Sequence, residues 1–174
     1  QRNNIVADQL RQAGLATLLI DLLTPEEKKI DQQTREIRFD IDRLAKRVTG
    51  TVDWLSENNH TKTLKIGVFG SSTGAAGALI AAARRPEKVQ AAVSRGGRVD
   101  MAEDYLQDVT VPVLCIVGGR DYQVLSLNRQ AIEKMDTETE LEIVEGAGHL
   151  FETPGALEEV ERIARDWFVE YLSK

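Results

Sequence analysis

Three side chains in this 174-residue chain are of the types, and stand at the positions relative to apolar runs, that acyl transfer needs. Ser72 is the centre of Gly70-Ser71-Ser72-Thr73-Gly74. That string fits the Gly-x-Ser-x-Gly elbow, in which a nucleophilic hydroxyl rides on a sharp strand-to-helix turn. The required context surrounds it: the apolar run 65–70 (KIGVFG) before, and a Gly/Ala-rich helical stretch 73–83 after. On such a turn Ser72 projects above the sheet near the positive end of the following helix. The Thr73 N–H then points at a developing oxyanion. The pentapeptide alone is a weak signal, because small residues also occur where a helix simply packs close to a strand. A phosphate-binding P-loop is excluded, since no Lys follows the second glycine, and residues 70–77 do not spell the dinucleotide fingerprint.

Position along the chain adds what the motif lacks. Asp121 follows the apolar run 111–117 through Gly118-Gly119-Arg120, and His149 follows the run 141–144 through Glu145-Gly146-Ala147-Gly148. Parallel α/β sheets collect functional groups at the carboxyl ends of their strands, so both residues fall on the sheet edge that bears Ser72. The chain order Ser, Asp, His is the one used by hydrolases with this elbow. The plainer alternatives are a turn aspartate at 121 and a surface-loop histidine at 149, although the glycines at 146 and 148 suit a backbone that places one side chain. His60, the second of two histidines, lies in the polar loop Asn58-Asn59-His60-Thr61-Lys62, where a solvated side chain is expected. Two histidines leave no zinc site of catalytic type.

The elements that must position these residues alternate between helix and strand. Ile5, Val6, Leu10 and Ala13 have amphipathic spacing, and Gly14 supplies a stop. Residues 15–23 (LATLLIDLL) are near-continuously apolar, as expected of a buried parallel strand. Residues 24–34 (TPEEKKIDQQT) are a charged, Pro-initiated excursion expected to be a mobile loop. A long helix carries Ile37, Ile41, Leu44, Val48, Val52 and Leu55 at spacings of three and four, closed by Asn58-Asn59. After the elbow helix, ended by Pro86, 89–94 is strand-like and 95–107 is a polar connection with a turn or two of helix. Strands are expected at 111–117 and 141–144, with helices at 125–135 and 156–172. The last carries Leu157, Val160, Ile163, Trp167 and Tyr171 on one stripe. This alternation means right-handed crossovers, a mostly parallel sheet and one α/β domain.

Composition narrows the function classes. The chain is 42% hydrophobic, 29% charged and 5% aromatic, the profile of a globular protein. Its 22 basic and 28 acidic residues give a net charge of −6. That balance disfavours phosphate backbones and anionic lipid, so no nucleic-acid or membrane partner is expected. No apolar stretch approaches the roughly 18 residues of a membrane span. The single cysteine, Cys115, lies in the apolar run Val113-Leu114-Cys115-Ile116-Val117 and reads as a buried strand residue. With no internal disulfide possible, the chain suits a reducing, cytoplasmic compartment.

The strings GSSTGAAGALIAAARRPEKVQAAVSRGGR, VPVLCIVGGRDYQVLSLNRQA and GAGHLFETPGALEEV resemble the dienelactone-hydrolase-related branch of the α/β-hydrolase superfamily. Members of that branch also occur fused to phosphoribosyltransferase domains. The resemblance covers nearly the whole chain. It implies a three-layer α/β-hydrolase sandwich, Ser72 as nucleophile, Asp121 as acid and His149 as base. No cofactor or metal is implied, and association with a phosphoribosyltransferase domain is. True dienelactone hydrolases carry a cysteine nucleophile where this sequence has Ser72, so the resemblance does not by itself imply their substrate. The family also places, just before the first helix here, a strand ending in a His-Gly loop that supplies the second oxyanion N–H. Nothing in residues 1–174 matches it. The resemblance sets that strand between 15–22 and 65–69, which makes 1–174 an N-terminally incomplete single domain preceded by roughly 30–50 residues.

The expected reaction is hydrolysis of a small carboxylic ester or thioester through an acyl-enzyme on Ser72. A non-catalytic binding or regulatory module on the same fold is the alternative from another class. Arg95 and Arg98, near a strand's carboxyl end, could meet an anionic substrate, or be solvated or paired with Asp100, Glu103 or Asp104.

Overall fold

Four short strands pair side by side in the computed structural model, which describes residues 2–173. They are β1 (Ile66–Ser71), β2 (Val89–Arg95), β3 (Val113–Gly118) and β4 (Thr139–Val144), all parallel and in the order β1-β2-β3-β4. Six α-helices flank them: α1 (Arg2–Gln12), α2 (Pro25–Thr34), α3 (Ile41–Glu57), α4 (Thr73–Arg84), α5 (Tyr122–Ile132) and α6 (Ala156–Leu172). A 3-10 segment, Ile37–Phe39, leads into α3, and another, Val99–Asp108, follows β2.

Side chains alternate across the central strands, as the period of two requires. Val113 and Cys115 pack toward one face with α4, α3 and the Val99–Asp108 segment. Leu114 and Ile116 pack toward the other with α1 and α6. The result is the three-layer α/β sandwich with a parallel sheet. Small residues govern its tightest layer. α4 is buried from Ala75 to Ala82, and a Cβ at Gly77 would meet the Leu44 backbone of α3 at 3.3 Å.

Most expected elements are present. α6 spans the anticipated residues, Cys115 is fully buried, and burial pushes its thiol up to about 12. His60 lies exposed in its loop. α5 begins at Tyr122 and ends at Ile132, three residues earlier at both ends than its apolar spacing suggests, because Asp121 takes the N-cap position. Among the described residues no helix is long and apolar enough to cross a membrane.

Two expectations fail. Residues 15–23 are not a strand; they run without ladder partners, with Leu18 and Leu19 each 50% exposed. A buried parallel strand needs backbone partners on its flanks, and among the described strands none pairs with this segment, while β1 ends the sheet. Residues 24–34 are not a loop. Thr24 Oγ1 accepts from the Glu27 N–H at 3.2 Å, Glu27 Oε2 accepts from the Thr24 N–H at 2.8 Å, and Pro25 occupies the first turn of α2. This reciprocal capping box satisfies two helix-start donors. Glu27 also receives Arg47 at 2.6 and 2.8 Å and Arg43 at 3.0 Å, which ties α2 to α3. A charged string read as solvated is therefore docked through ion pairs, which hydrophobic periodicity does not register.

Bonding to Arg47, then to the Thr24 backbone, holds the Glu27 carboxyl near 2, below its ordinary 4.5. A carboxyl lowered by folding contributes stability that is complete above its unfolded value and is lost as pH falls through its folded value. Glu27→Gln is accordingly expected to melt at a lower temperature than the parent at pH 7. The gap should close between pH 4.5 and about 2. A gap that stays constant over thermal melts across this range would show that the carboxylate charge is not what docks α2.

Candidate active site

The turn after β1 is strained as well as sharp. Ser72 has φ 51° and ψ −127°, a region that non-glycine residues enter at a cost of about 1–3 kcal/mol. Three backbone hydrogen bonds hold it there. The Ser72 N–H donates to the Arg95 carbonyl at 3.3 Å, and the Ser72 carbonyl accepts from the Arg98 N–H at 3.0 Å and the Ala75 N–H at 3.2 Å. The loop after β2 thus grips the elbow from both sides. Gly70 is indispensable to the turn, because a Cβ there would lie 2.5 Å from the Ala75 Cα and the Gly74 carbonyl oxygen. Gly74 is less constrained: its Cβ would meet only the tip of Leu22, at 3.4 Å. Thr73 opens α4, so its N–H belongs to the helix-start donors that have no intrahelical acceptor.

Two further loops carry Asp121 and His149, and they are laced together. Gly119 N–H donates to the Val144 carbonyl and Arg120 N–H to the Ala147 carbonyl, each at 2.9 Å. Gly118 permits the crossing, since a Cβ there would sit 2.5 Å from the Ala147 carbonyl oxygen. Phe151, itself at φ 53° and buried, closes the histidine turn by donating its N–H to the Gly148 carbonyl at 3.1 Å. Asp121 Oδ2 and His149 Nδ1 consequently lie 2.6 Å apart, with the Asp121 side chain 13% and the His149 side chain 40% exposed. This contact fixes the ring so that Nδ1 faces the carboxylate and Nε2 faces outward.

Of the sequence-selected residues, Asp121 and His149 are brought into direct contact. Ser72 and Thr73 lie at the carboxyl end of β1. No hydrogen bond joins the Ser72 hydroxyl to His149 among the described residues. The stretch between them is Arg95-Gly96, where a Cβ on Gly96 would come 3.6 Å from His149 Cε1. Sequence reasoning missed the part played by this loop. Its signal was the Gly96-Gly97 pair directly after a strand. It also missed Asn128, a fully buried α5 residue whose amide donates to the Gly97 carbonyl at 2.9 Å and the Val124 carbonyl at 2.8 Å. Asn128 pins the loop that pins the elbow, and nothing in its sequence surroundings announces that.

A fold with helices on both faces of a parallel sheet, and an acid–histidine pair beside a left-handed serine elbow, define a hydrolase-type α/β framework. The sequence model of the dienelactone hydrolase family matches residues 1–172, and the chain belongs to that family. It is similar over 98% of its length to the crystal structure of a dienelactone hydrolase from Anabaena variabilis, with 56% identity, a TM-score of 0.95 and 79% of that chain covered. A Mycobacterium tuberculosis protein that carries the name phosphoribosyl transferase is 50% identical over 171 residues, 98% of this chain. The chain spans 38% of the length of that curated relative. Est1E from Butyrivibrio proteoclasticus, at 16% identity and a TM-score of 0.79 over 99% of this chain and 82% of its own, shares the fold.

The elbow geometry predicts opposite stability changes at neighbouring sites. Gly70→Ala should cost about 1–3 kcal/mol through backbone overlap, whereas Ser72→Gly should add about 1 kcal/mol by relieving the positive φ. Urea denaturation of the two variants checks both signs. A destabilised Ser72→Gly would mean that the turn stores no strain at that residue.

Proposed function

We propose that the protein is a serine hydrolase that cleaves small carboxylic esters or thioesters through an acyl-enzyme on Ser72. The observation that carries this reading is the 2.6 Å contact between Asp121 and His149 on the sheet edge where Ser72 occupies its left-handed elbow. In the reaction His149 Nε2 takes the proton from the Ser72 hydroxyl as the oxygen attacks the acyl carbonyl. Asp121 holds the imidazole in the Nδ1–H tautomer and stabilises the imidazolium that forms. The Thr73 N–H meets the oxyanion; a donor of this kind is worth about 3–4 kcal/mol of barrier. Collapse of the tetrahedral intermediate expels the leaving group, which receives the proton from His149. Water then attacks the acyl-enzyme with His149 again as base, and the acid departs as the hydroxyl of Ser72 is restored.

The reaction requires a hydrogen bond from the Ser72 hydroxyl to His149 Nε2. Catalytic hydrogen bonds that are open in a free enzyme commonly close on substrate, and Gly96 presents no side chain in the way. It also calls for a second oxyanion donor, for which the free edge of β1 offers a place. Family membership and the hydrolase relatives support the hydrolytic class. We further assign the domain to a protein that also carries a phosphoribosyltransferase unit, on the strength of the half-identical relative of that name. A reducing, cytoplasmic setting fits the single, buried cysteine.

One observation favours a second reading. The Ser72 hydroxyl makes no hydrogen bond to the imidazole, as in a non-catalytic module that only binds a ligand. A fluorophosphonate probe separates the two, because it reacts only with an activated serine. Stoichiometric labelling is expected, with the adduct on Ser72. Ser72→Ala should abolish labelling and lower p-nitrophenyl acetate turnover by about 10⁶-fold. An unlabelled, folded protein, or turnover undiminished in the variant, contradicts the enzyme.

A further inference from the structure

Asn128 is a polar residue of α5 with no exposed surface. Its Nδ2 donates to two carbonyls, Gly97 at 2.9 Å and Val124 at 2.8 Å. Two acceptors on one side of the amide require its nitrogen, not its oxygen, to face them. The oxygen, Oδ1, is buried with no hydrogen-bond partner among the described residues. The Val124 bond is redundant, since a helix carbonyl four residues back already accepts the backbone N–H. Only the Gly97 bond reaches another element. A buried oxygen left unsatisfied offsets what such a bond returns, so Asn128 gives the fold little that an apolar side chain of similar volume would not. Stability does not account for it.

What the Gly97 bond controls is a peptide plane. The Gly97 carbonyl and the Arg98 N–H belong to one planar peptide and point in opposite directions. Asn128 holds the carbonyl, and the N–H donates to the Ser72 carbonyl at 3.0 Å. Bare backbone is packed there, for a Cβ on Gly97 would lie 1.9 Å from Ser94 Oγ and 2.5 Å from the Ala75 Cβ. Arg98 is steadied at its other end, where Asp100 takes its guanidinium with two bonds of 2.9 and 2.8 Å. The same geometry recurs one step on. The Ser72 carbonyl and the Thr73 N–H also share a peptide, so holding the carbonyl against Arg98 aims the Thr73 N–H the opposite way, out of the start of α4. Hydrogen bonds linked in series polarise one another. Each carbonyl that is bonded therefore makes the N–H at the far end of its peptide a stronger donor.

We infer that Asn128 is a positioning residue for the oxyanion: from α5, through two peptides in series, it sets the direction and donor strength of the Thr73 N–H. Its own hydrogen bonds go to neither Ser72 nor His149, so it acts only through the backbone. The inference rests on the acyl-enzyme reading for what the Thr73 N–H does, but not for how that N–H is held, and the two are tested apart.

Asn128→Leu removes the donor and the unsatisfied oxygen together at nearly constant volume, and Asn128→Met does so with a side chain that adapts to irregular space. On p-nitrophenyl acetate each is expected to lower kcat about 10- to 100-fold, the scale of a misplaced group at a reacting centre, with KM little changed. The pH at which kcat falls should remain that of the parent, because Asp121 and His149 are held by a separate pair of loops. Asn128→Leu should melt close to the parent. In isotope-labelled protein the Arg98 and Thr73 amide resonances should move in Asn128→Leu, while those of Gly119 and Arg120, which lace the histidine side, should stay. Parental kcat in the folded variants, or unmoved Arg98 and Thr73 resonances, overturns the inference. Loss of folding in both variants also overturns it, since Asn128 would then be a structural residue. A parent that neither hydrolyses the ester nor takes the fluorophosphonate refutes the acyl-enzyme reading instead, and the amide resonances then decide the positioning by themselves.

Discussion

The site depends on one backbone conformation, the positive φ of Ser72. A serine does not rest there unaided; the surrounding chain has to over-determine it. Gly70 removes the Cβ that would strike the start of α4, and the loop after β2 closes hydrogen bonds on both the N–H and the carbonyl of Ser72. That loop is in turn fixed by Asn128 from α5. The hydroxyl and the helix-start N–H beside it take their places from this turn.

The acid–histidine pair is built by a separate device. Backbone bonds and the absence of a Cβ on Gly118 bring the loops after β3 and β4 into contact, so Asp121 meets His149 without needing to reach. The sheet order converts sequence separation into proximity: the loops after β1, β2, β3 and β4 emerge side by side on one edge. Gly96 lies on that edge at φ 51°, where an added Cβ would only touch the His149 and Phe151 rings, so it is the backbone conformation that favours glycine. The elbow and the pair are therefore independent constructions that share one bare-backbone residue between them.

Much of this was legible in the residue string because the signals are local and strong. The Gly-x-Ser-x-Gly turn needs its glycine for a steric reason, and an apolar strand must precede it. The runs 111–117 and 141–144, bounded by Gly-Gly and Glu-Gly, marked β3 and β4, and acidic and imidazole groups just beyond them marked the pair. Legibility ended where partners decide the outcome. Residues 15–23 have the composition of a buried strand, but a strand exists only in a ladder, and none of the described strands pairs with them. Residues 24–34 look like a solvated loop until Glu27 is seen to cap α2 and bind two arginines of α3. Arg95 and Arg98 are three apart in similar surroundings, and only the fold shows that Asp100 satisfies one of them. Asn128, a polar residue among helical neighbours, became meaningful through a carbonyl 31 positions away.

The central claim is that hydroxyl, imidazole and helix-start N–H converge on one reacting centre. A crystal structure of the protein inactivated by a fluorophosphonate tests it most directly, since the tetrahedral phosphorus mimics the acyl intermediate. The account predicts phosphorus bonded to Ser72 Oγ, with one phosphonyl oxygen bonded to the Thr73 N–H and His149 Nε2 within hydrogen-bonding distance of Ser72 Oγ. An adduct on another residue, or one on Ser72 with the His149 ring turned away and Thr73 N–H unengaged, would contradict it.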